Sequence, residues 1–325
     1  ASARPARPAM PAAGGRGLRV RRASGQIRVE TGALSLHVGP TRGSGLLTTL
    51  ASAGGLRLGP LDLSLKLNRV GWRDQFRGQR QQAIVEQVSP VAAVLRLDGE
   101  LLDEGGRRFG PWRARLHLWA GLPCVLIEWR VVNESDQAMA MLLDWSARLA
   151  LPGLAGAHID FGPFASGYDA EDLGLKAIGH RGQVDDPRDL TLHPDSELSC
   201  RQEAVGQARL YRNTSWVATT PQAAGFVNLR HPDGGLVAAM RWFAEEYPKG
   251  IVVRPGVLSL ATMPESEDAV AWAHDRPFVR MGRGEAKQQT LLLWLHDGRL
   301  PAAQAERIAA RTLSLASCTA VSGSP

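Results

Sequence analysis

From Leu18 onward the hydrophobic positions recur mostly at every second residue, the period of a half-buried strand. Leu61, Leu63, Leu65 and Leu67 share one face of their segment, with Asp62, Ser64 and Lys66 on the other. The clearest pair follows. Residues 112–119 place Arg113, Arg115 and His117 on one face and Ala114, Leu116 and Leu118 on the other. Gly121-Leu122-Pro123 breaks the run, and residues 124–133 resume it with Val125, Ile127, Trp129 and Val131 on one face. That is the pattern of a long antiparallel hairpin. Two short strands flank Thr31-Gly32, over 26–30 and 33–38, and others are predicted at 91–101, 139–151, 210–219, 224–229, 235–242, 250–253, 257–262, 269–274 and 288–296. Only 301–312, PAAQAERIAART, reads as a helix, opened by Pro in its first turn.

About fifteen strands without βαβ alternation predict an all-β fold, a large antiparallel β-sandwich of the supersandwich kind with one short C-terminal helix. The sandwich is expected over residues 18–300. Residues 1–17, rich in Ala, Pro, Gly and Arg, read as a linker or disordered tail, and 301–325 as the helix and the start of a linker to a further domain. Residues 152–200 lose regular periodicity and fill with Gly, Asp, Pro and His, the composition of a long functional loop.

Composition adjusts this picture in two places. In 325 residues, Gly 35 and Pro 20 suit the many turns of a sandwich. The net charge of +6 comes from 38 Lys and Arg against 32 Asp and Glu, and only Lys66, Lys176, Lys249 and Lys287 are lysines. The arginines are scattered singly along strand faces, which argues against a nucleic-acid partner. No run approaches the roughly 20 apolar residues of a transmembrane helix, so no membrane partner is expected. Cys124, Cys200 and Cys318 are odd in number and far apart, which suits neither a disulfide framework nor a zinc site, and Cys124 is expected in the core. The glycine clusters at 14–15, 43–45 and 282–284 lack the strand-before, helix-after context of a phosphate loop, and the common hydrolase and metal motifs are missing.

Three groups remain as candidate chemistry. In FAEEYPKG, residues 243–250, Pro248 biases Tyr247 toward extended backbone, which would set Tyr247 and Lys249 on one side of the chain. A phenol and an ammonium together could bind or deprotonate a polar substrate; the alternative is that Tyr247 packs on the sandwich and Lys249 is solvated. The second group, GRGEAK at 282–287, ends in Lys287, and its charges also read as a surface pair. The third is the irregular segment with Asp160, Tyr168, Asp169, His180, Arg181, Asp185, Asp186, Arg188, His193 and Asp195, followed by Tyr211, Arg212 and Trp216. Its acids could bind Ca²⁺, although they lack an EF-hand spacing, and no cofactor is otherwise expected. Arg212 and Trp216 suit a sugar, as a carboxylate clamp and an apolar platform, with a core Trp as the competing reading.

The stretches VETGALSLHVG (29–39), RLHLWAGLPCVLIEWRVVN (115–133), AAMRWFAEEYPKGIVV (238–253) and MGRGEAKQQTLLLWLHD (281–297) together resemble the exo-rhamnogalacturonan lyase-like (YetA-like) family, polysaccharide lyase family 26. The resemblance spans residues 18–315 and implies that family's central β-sandwich domain, which lies between an N-terminal barrel and a C-terminal α/α toroid. Gln288-Gln289 stand where the family more often has Thr-His. The implied reaction is β-elimination on a rhamnogalacturonan-type uronide, outside the cell or in the periplasm. A cation must then neutralise the uronate carboxylate and a base must take the C5 proton. Lys249 or Arg212 is expected in the first role and Tyr247 or His180 in the second, with Arg181, Trp216 and Lys287 as further substrate contacts. The rival expectation is a non-catalytic carbohydrate-binding or scaffold module, whose chemistry lies in flanking domains of the parent chain.

Overall fold

The computed structural model describes residues 17–40, 43–69, 72–162, 190–194, 196–213, 215–263 and 279–319. Strands β1 (Arg19–Ala23), β2 (Gln26–Glu30), β3 (Leu34–Val38), β4 (Gly43–Ser44), β5 (Thr49–Ser52) and β6 (Arg57–Leu58) open the fold, and all but β4 form one sheet in the order β1-β2-β3-β5-β6. The long strands follow: β7 (Leu61–Arg69), β8 (Trp72–Val88), β9 (Ala92–Leu102), β10 (Arg108–Trp119), β11 (Cys124–Val132) and β12 (Met139–Ala150). Then come β13 (His158–Asp160), β14 (Leu190–Thr191), β15 (Leu198–Ala204), β16 (Gln207–Arg212) and β17 (Ser215–Thr220). The last are β18 (Phe226–His231), β19 (Gly234–Met240), β20 (Lys249–Arg254), β21 (Val257–Met263), β22 (Val279–Gly282) and β23 (Ala286–His296), before the helix α1 (Ala302–Thr319).

Antiparallel pairings join the larger system in one path, β17-β16-β15-β20-β21-β12-β7-β8-β9-β10-β11-β23-β19-β18-β13-β14. Its two ends, β17 and β14, each have one strand partner among the described residues, so the arrangement is a folded-over sandwich rather than a closed barrel. The 17-residue β8 pairs β7 over its first third and β9 over the rest, and bulges near Arg80/Gln82 and Val85/Gln87 bend it on the way. The expected alternation is borne out: Leu61, Leu63, Leu65, Leu67, Ala114, Leu116 and Leu118 are all buried in the core between the layers. The hairpin of β10 and β11 pairs Trp112 with Val131 through Leu118 with Val125.

Several boundaries differ from expectation. Residues 210–219 are not one strand but the hairpin of β16 and β17, turning through Asn213, whose φ of 54° is tolerated by Asn better than by most residues. β8 was not expected, because from residue 74 to 80 its buried positions are Phe76, Gly78 and Arg80, and a Gly and an Arg give no apolar period. β15 arises inside the stretch expected to be irregular, and α1 runs seven residues beyond the predicted end. The strand expected at 269–274 lies outside the described residues.

The helix explains why β11, β19 and β23 are apolar on both faces. One face joins the main core. The other, carrying Cys124, Leu126, Phe226, Val237, Ala239 and Leu292, is covered by Ala305, Ala309 and Leu313, an i, i+4, i+8 stripe of α1. His296 seats the connection. Its Nε2 lies 3.0 Å from Asn228 Oδ1, its Nδ1 accepts from the Gly298 N–H at 3.0 Å, and Asn228 Nδ2 donates to Leu300 O at 2.9 Å. Those partners suit a neutral imidazole, and burial pushes its pKa down to about 4. Protonation therefore favours the unfolded chain. The stabilisation is complete above about pH 6.5 and is lost as pH falls toward 4, on the order of 2 kcal/mol once partial exposure is allowed for. Urea midpoints at pH 7.5 and 4.5 should show the wild type losing that much more than His296→Gln; equal losses would refute the assignment.

Candidate functional site

Beyond the part that α1 covers, the outer face of β9, β10, β11 and β23 is polar. Cross-strand register aligns Arg115, Glu128 and Thr290 in one row and Arg113, Arg130 and Gln288 in the next. His117 Nε2 lies 3.1 Å from Glu128 Oε2, and its ring stacks on Trp119 at 6.3 Å between centroids. The bond from His117, reinforced by Arg115 and Arg241 nearby, holds the Glu128 carboxyl below its ordinary range. Arg115 is itself bidentate to Glu86, and Arg113 pairs with Asp98, so most of this face is a lattice of exposed ion pairs.

Where β19 leaves the sheet, the chain makes the turn 241–248 before β20. The Arg241 N–H donates to Thr290 O at 3.0 Å, and the Met240 N–H donates to Gly225 O at 2.9 Å, which fixes the start of the turn against β23 and the residue preceding β18. Gly225 is required there. Its φ is +71°, and a Cβ would lie 2.3 Å from Cβ of Phe243. Between this turn and α1 lies a recess of about 360 Å³, walled by Met240, Arg241, Trp242 and Phe243 on one side and Ala310 and Leu313 on the other. Trp242 stands at its mouth, 51% exposed, in the left-handed region at φ 58°, with the Arg241 guanidinium 5.0 Å from its ring centroid. A displayed indole on unfavourable backbone is an expensive arrangement for a fold to keep, and a volume of this size suits one small ligand or sugar ring.

The expected Tyr247–Lys249 pair is corrected by this geometry. Tyr247 is 38% exposed, whereas Lys249 is fully buried. The same-side rule holds for extended strand, and Lys249 is only the first residue of β20 after a turn. The alternative, a packed Tyr and a solvated Lys, is the reverse of what is found. Lys249 Nζ donates to Arg241 O at 2.7 Å, to Trp242 O at 3.1 Å and to Glu246 Oε2 at 2.9 Å. Burial lowers its pKa and the hydrogen bond to Glu246 opposes the shift. The two motif stretches do meet: Gln289 Nε2 lies 3.5 Å from Glu246 Oε2, so GEAKQQ and EEYPK share that carboxylate. Lys287, two residues earlier on β23, is partly exposed and pairs with Glu285 at 3.0 Å.

Arg212 is exposed but stands elsewhere. It pairs in register with Leu198, and Leu198 with Val253, four residues along β20 from Lys249 or about 13 Å at strand rise. Trp216 lies on β17 opposite Tyr211. The Tyr211 hydroxyl donates to Glu203 Oε1; burial, and after it this bond, raises the pKa of the phenol. Asp160 is buried and accepts the Gly162 N–H at 2.9 Å, closing the end of β13. His193 caps a local turn through its backbone. His180, Arg181, Tyr168, Asp169, Asp185, Asp186, Arg188 and Asp195, and with them most of the acids of the Ca²⁺ expectation, lie outside the described residues. Trp242, Arg241 and the His117–Glu128 pair were not among the sequence candidates. Trp242 ends an apolar strand pattern and is indistinguishable there from a core residue.

No family model matches the chain, and no curated protein matches it in sequence. Among solved structures, a protein of Klebsiella pneumoniae assigned as an aldose 1-epimerase matches at TM-score 0.50 and 12% identity, covering 90% of this chain and 86% of its own. One from Escherichia coli K12 with the same assignment matches at 0.45 and 11%, covering 86% and 99%. A polysaccharide lyase matches at 0.36 and 11%, covering 88% of this chain and 33% of its own. The first shares its fold with this chain, and the likeness extends no further. None singles out the exo-rhamnogalacturonan lyase-like family.

Proposed function

We propose that this chain is a saccharide-recognising β-sandwich domain that seats a sugar ring in the recess between Trp242 and α1. The observation behind this reading is the exposed Trp242 itself, an apolar plane displayed at the mouth of a ring-sized recess and backed by a guanidinium. Such a plane stacks on the C–H face of a sugar. The fold shared with an assigned aldose 1-epimerase is compatible with it. The ligand in this reading is a rhamnogalacturonan-type polysaccharide, met outside the cytoplasm, in the periplasm or beyond the cell, beside the flanking domains that the resemblance implies. Arg241, whose guanidinium lies over the Trp242 ring, is the cation that would meet a uronate carboxylate in this reading.

A lyase reading stands second, on the exposed Tyr247 phenol at the end of the same turn. As its phenolate it would take the uronate C5 proton, the electron pair would form the C4–C5 double bond, the C4–O bond would break, and the phenol so formed would return the proton to the leaving oxygen. Titration with rhamnogalacturonan oligosaccharides, followed by calorimetry and by ultraviolet absorbance, separates the two. Binding without an absorbance rise is expected, with Trp242→Ala weakening affinity about tenfold at nearly unchanged Tm. Absence of binding by the wild type sinks the proposal. An absorbance rise abolished by Tyr247→Phe would establish the lyase reading instead.

A further inference from the structure

Among the described residues Lys249 is the one lysine whose side chain is entirely enclosed, in a chain that otherwise places Arg at nearly every basic position. An ammonium has three N–H donors and no acceptor, and here all three have partners: Arg241 O, Trp242 O and Glu246 Oε2. None is left for a ligand. Two of the partners are consecutive carbonyls at the very peptide units that orient Trp242. The Glu246 N–H also donates to Trp242 O at 3.0 Å, so this carbonyl is held by two donors from the far side of the turn. Glu246 is tethered in its turn by Gln289 of β23. Trp242 keeps a left-handed φ that a bulky residue adopts only when its surroundings impose it, and half of its surface faces solvent. These bonds fix Trp242 at its carbonyl, while the Arg241 guanidinium lies over its ring.

We propose that Lys249 is a positioning residue: by binding the carbonyls of Arg241 and Trp242 together with Glu246, it sets the angle at which the Trp242 indole faces the recess and so the affinity for a sugar ring. The role rests on the saccharide reading given above. It also accounts for a lysine at this place. A three-acceptor cage fits a compact ammonium, whereas a planar guanidinium with five donors in a fixed fork overfills it and leaves donors unpaired.

A double-mutant cycle tests this in the full chain, using Lys249→Arg and Glu246→Gln, each alone and combined with Trp242→Ala. Glu246 is about half exposed, so its substitution keeps the test alive if Lys249→Arg fails to fold. Two quantities are measured: affinity for rhamnogalacturonan oligosaccharides, and the acrylamide quenching of the emission that Trp242→Ala removes. Lys249→Arg is expected to weaken binding about tenfold when Trp242 is present and less than twofold when it is Ala, with Trp242 quenching altered before any ligand is added. Glu246→Gln should shift both in the same direction by a smaller factor. Equal losses in both backgrounds, or unchanged affinity and quenching, would overturn the role. If the wild type binds no saccharide, the functional reading fails while the quenching measurement still decides whether Lys249 orients Trp242.

Discussion

Gly99→Ala is expected to destabilise the sandwich by about 3 kcal/mol or more, although it adds a single methyl group. Gly99 on β9 faces Trp112 of β10 and Arg80 of β8 in register. A Cβ there would lie 2.2 Å from Gln79 O and 2.5 Å from both Cε2 and Cζ2 of Trp112. Neither neighbour can yield. One is backbone of the adjoining strand, and the other is a buried indole whose Nε1–H donates to Glu100 O at 3.2 Å. Gly78 on β8 has the same use, since its added Cβ would come within 3.3 Å of Trp112 Nε1 and 2.9 Å of Leu63 Cβ. The two glycines form a slot in which the ring lies flat against the sheet. Gly54→Ala, in a turn where the nearest atom is a side-chain oxygen at 3.7 Å, is the matched control and should change stability by less than 0.5 kcal/mol or so. Urea unfolding of the two variants checks the contrast, and a loss under about 1 kcal/mol for Gly99→Ala would show that the slot can relax.

The same pair of strands shows why parts of the fold were legible and others not. β7 and β10 have one buried face, of Leu in the first and of Trp, Ala and Leu in the second, so period two is written in their residues. The inward positions at the centre of β8 are Phe76, Gly78 and Arg80, and what makes them inward is a slot for another strand's indole and a buried guanidinium bound to Gly45 O and Pro40 O. That pattern depends on residues about 30 to 40 positions away and has no local period. β11, β19 and β23 posed the opposite difficulty. Being apolar on both faces, they read as strands but not as surfaces waiting for a helix, because an unbroken apolar run does not say what covers it.

For the site, the stretches around EEYPK and GEAKQQ were legible as belonging together, and the contact of Glu246 with Gln289 unites them. The roles within them were not. Residue chemistry marks Lys249 as a free cation, and only the path of the turn reveals that two carbonyls and a carboxylate enclose it. Trp242 was hidden for the converse reason. Its neighbours Leu236 to Met240 are core, and the change of direction that exposes the indole is a left-handed φ at Trp242 itself, a conformation that residue identity argues against. Both misreadings come from one feature, a turn over 241–248 where the strand was expected to run on to Trp242 and the backbone to be extended at Tyr247.

Ala305→Glu is expected to release α1 from the sheet and to remove one wall of the recess, at a cost of about 3 kcal/mol or more if the helix stays docked. Ala305 is fully buried against the outer apolar face, where a carboxylate would have no partner among Cys124, Leu126, Phe226, Val237, Ala239 and Leu292. An isolated 18-residue helix is marginal in water, so undocking and fraying proceed together. Cys124 reports the event. Its thiol is buried, and desolvation pushes its pKa up to about 12, so it should be inert to a thiol reagent in the native protein. In a Cys318→Ser background, Ala305→Glu should make one thiol reactive, Cys124, while Cys200 in the main core remains protected. Strand circular dichroism should persist, because the covered face is one side of a sheet whose other side still packs on the main core. Saccharide affinity should fall by tenfold or so, since Ala310 and Leu313 leave the recess with the helix. Continued protection of Cys124 with undiminished affinity would mean that α1 is not the wall that shapes the site.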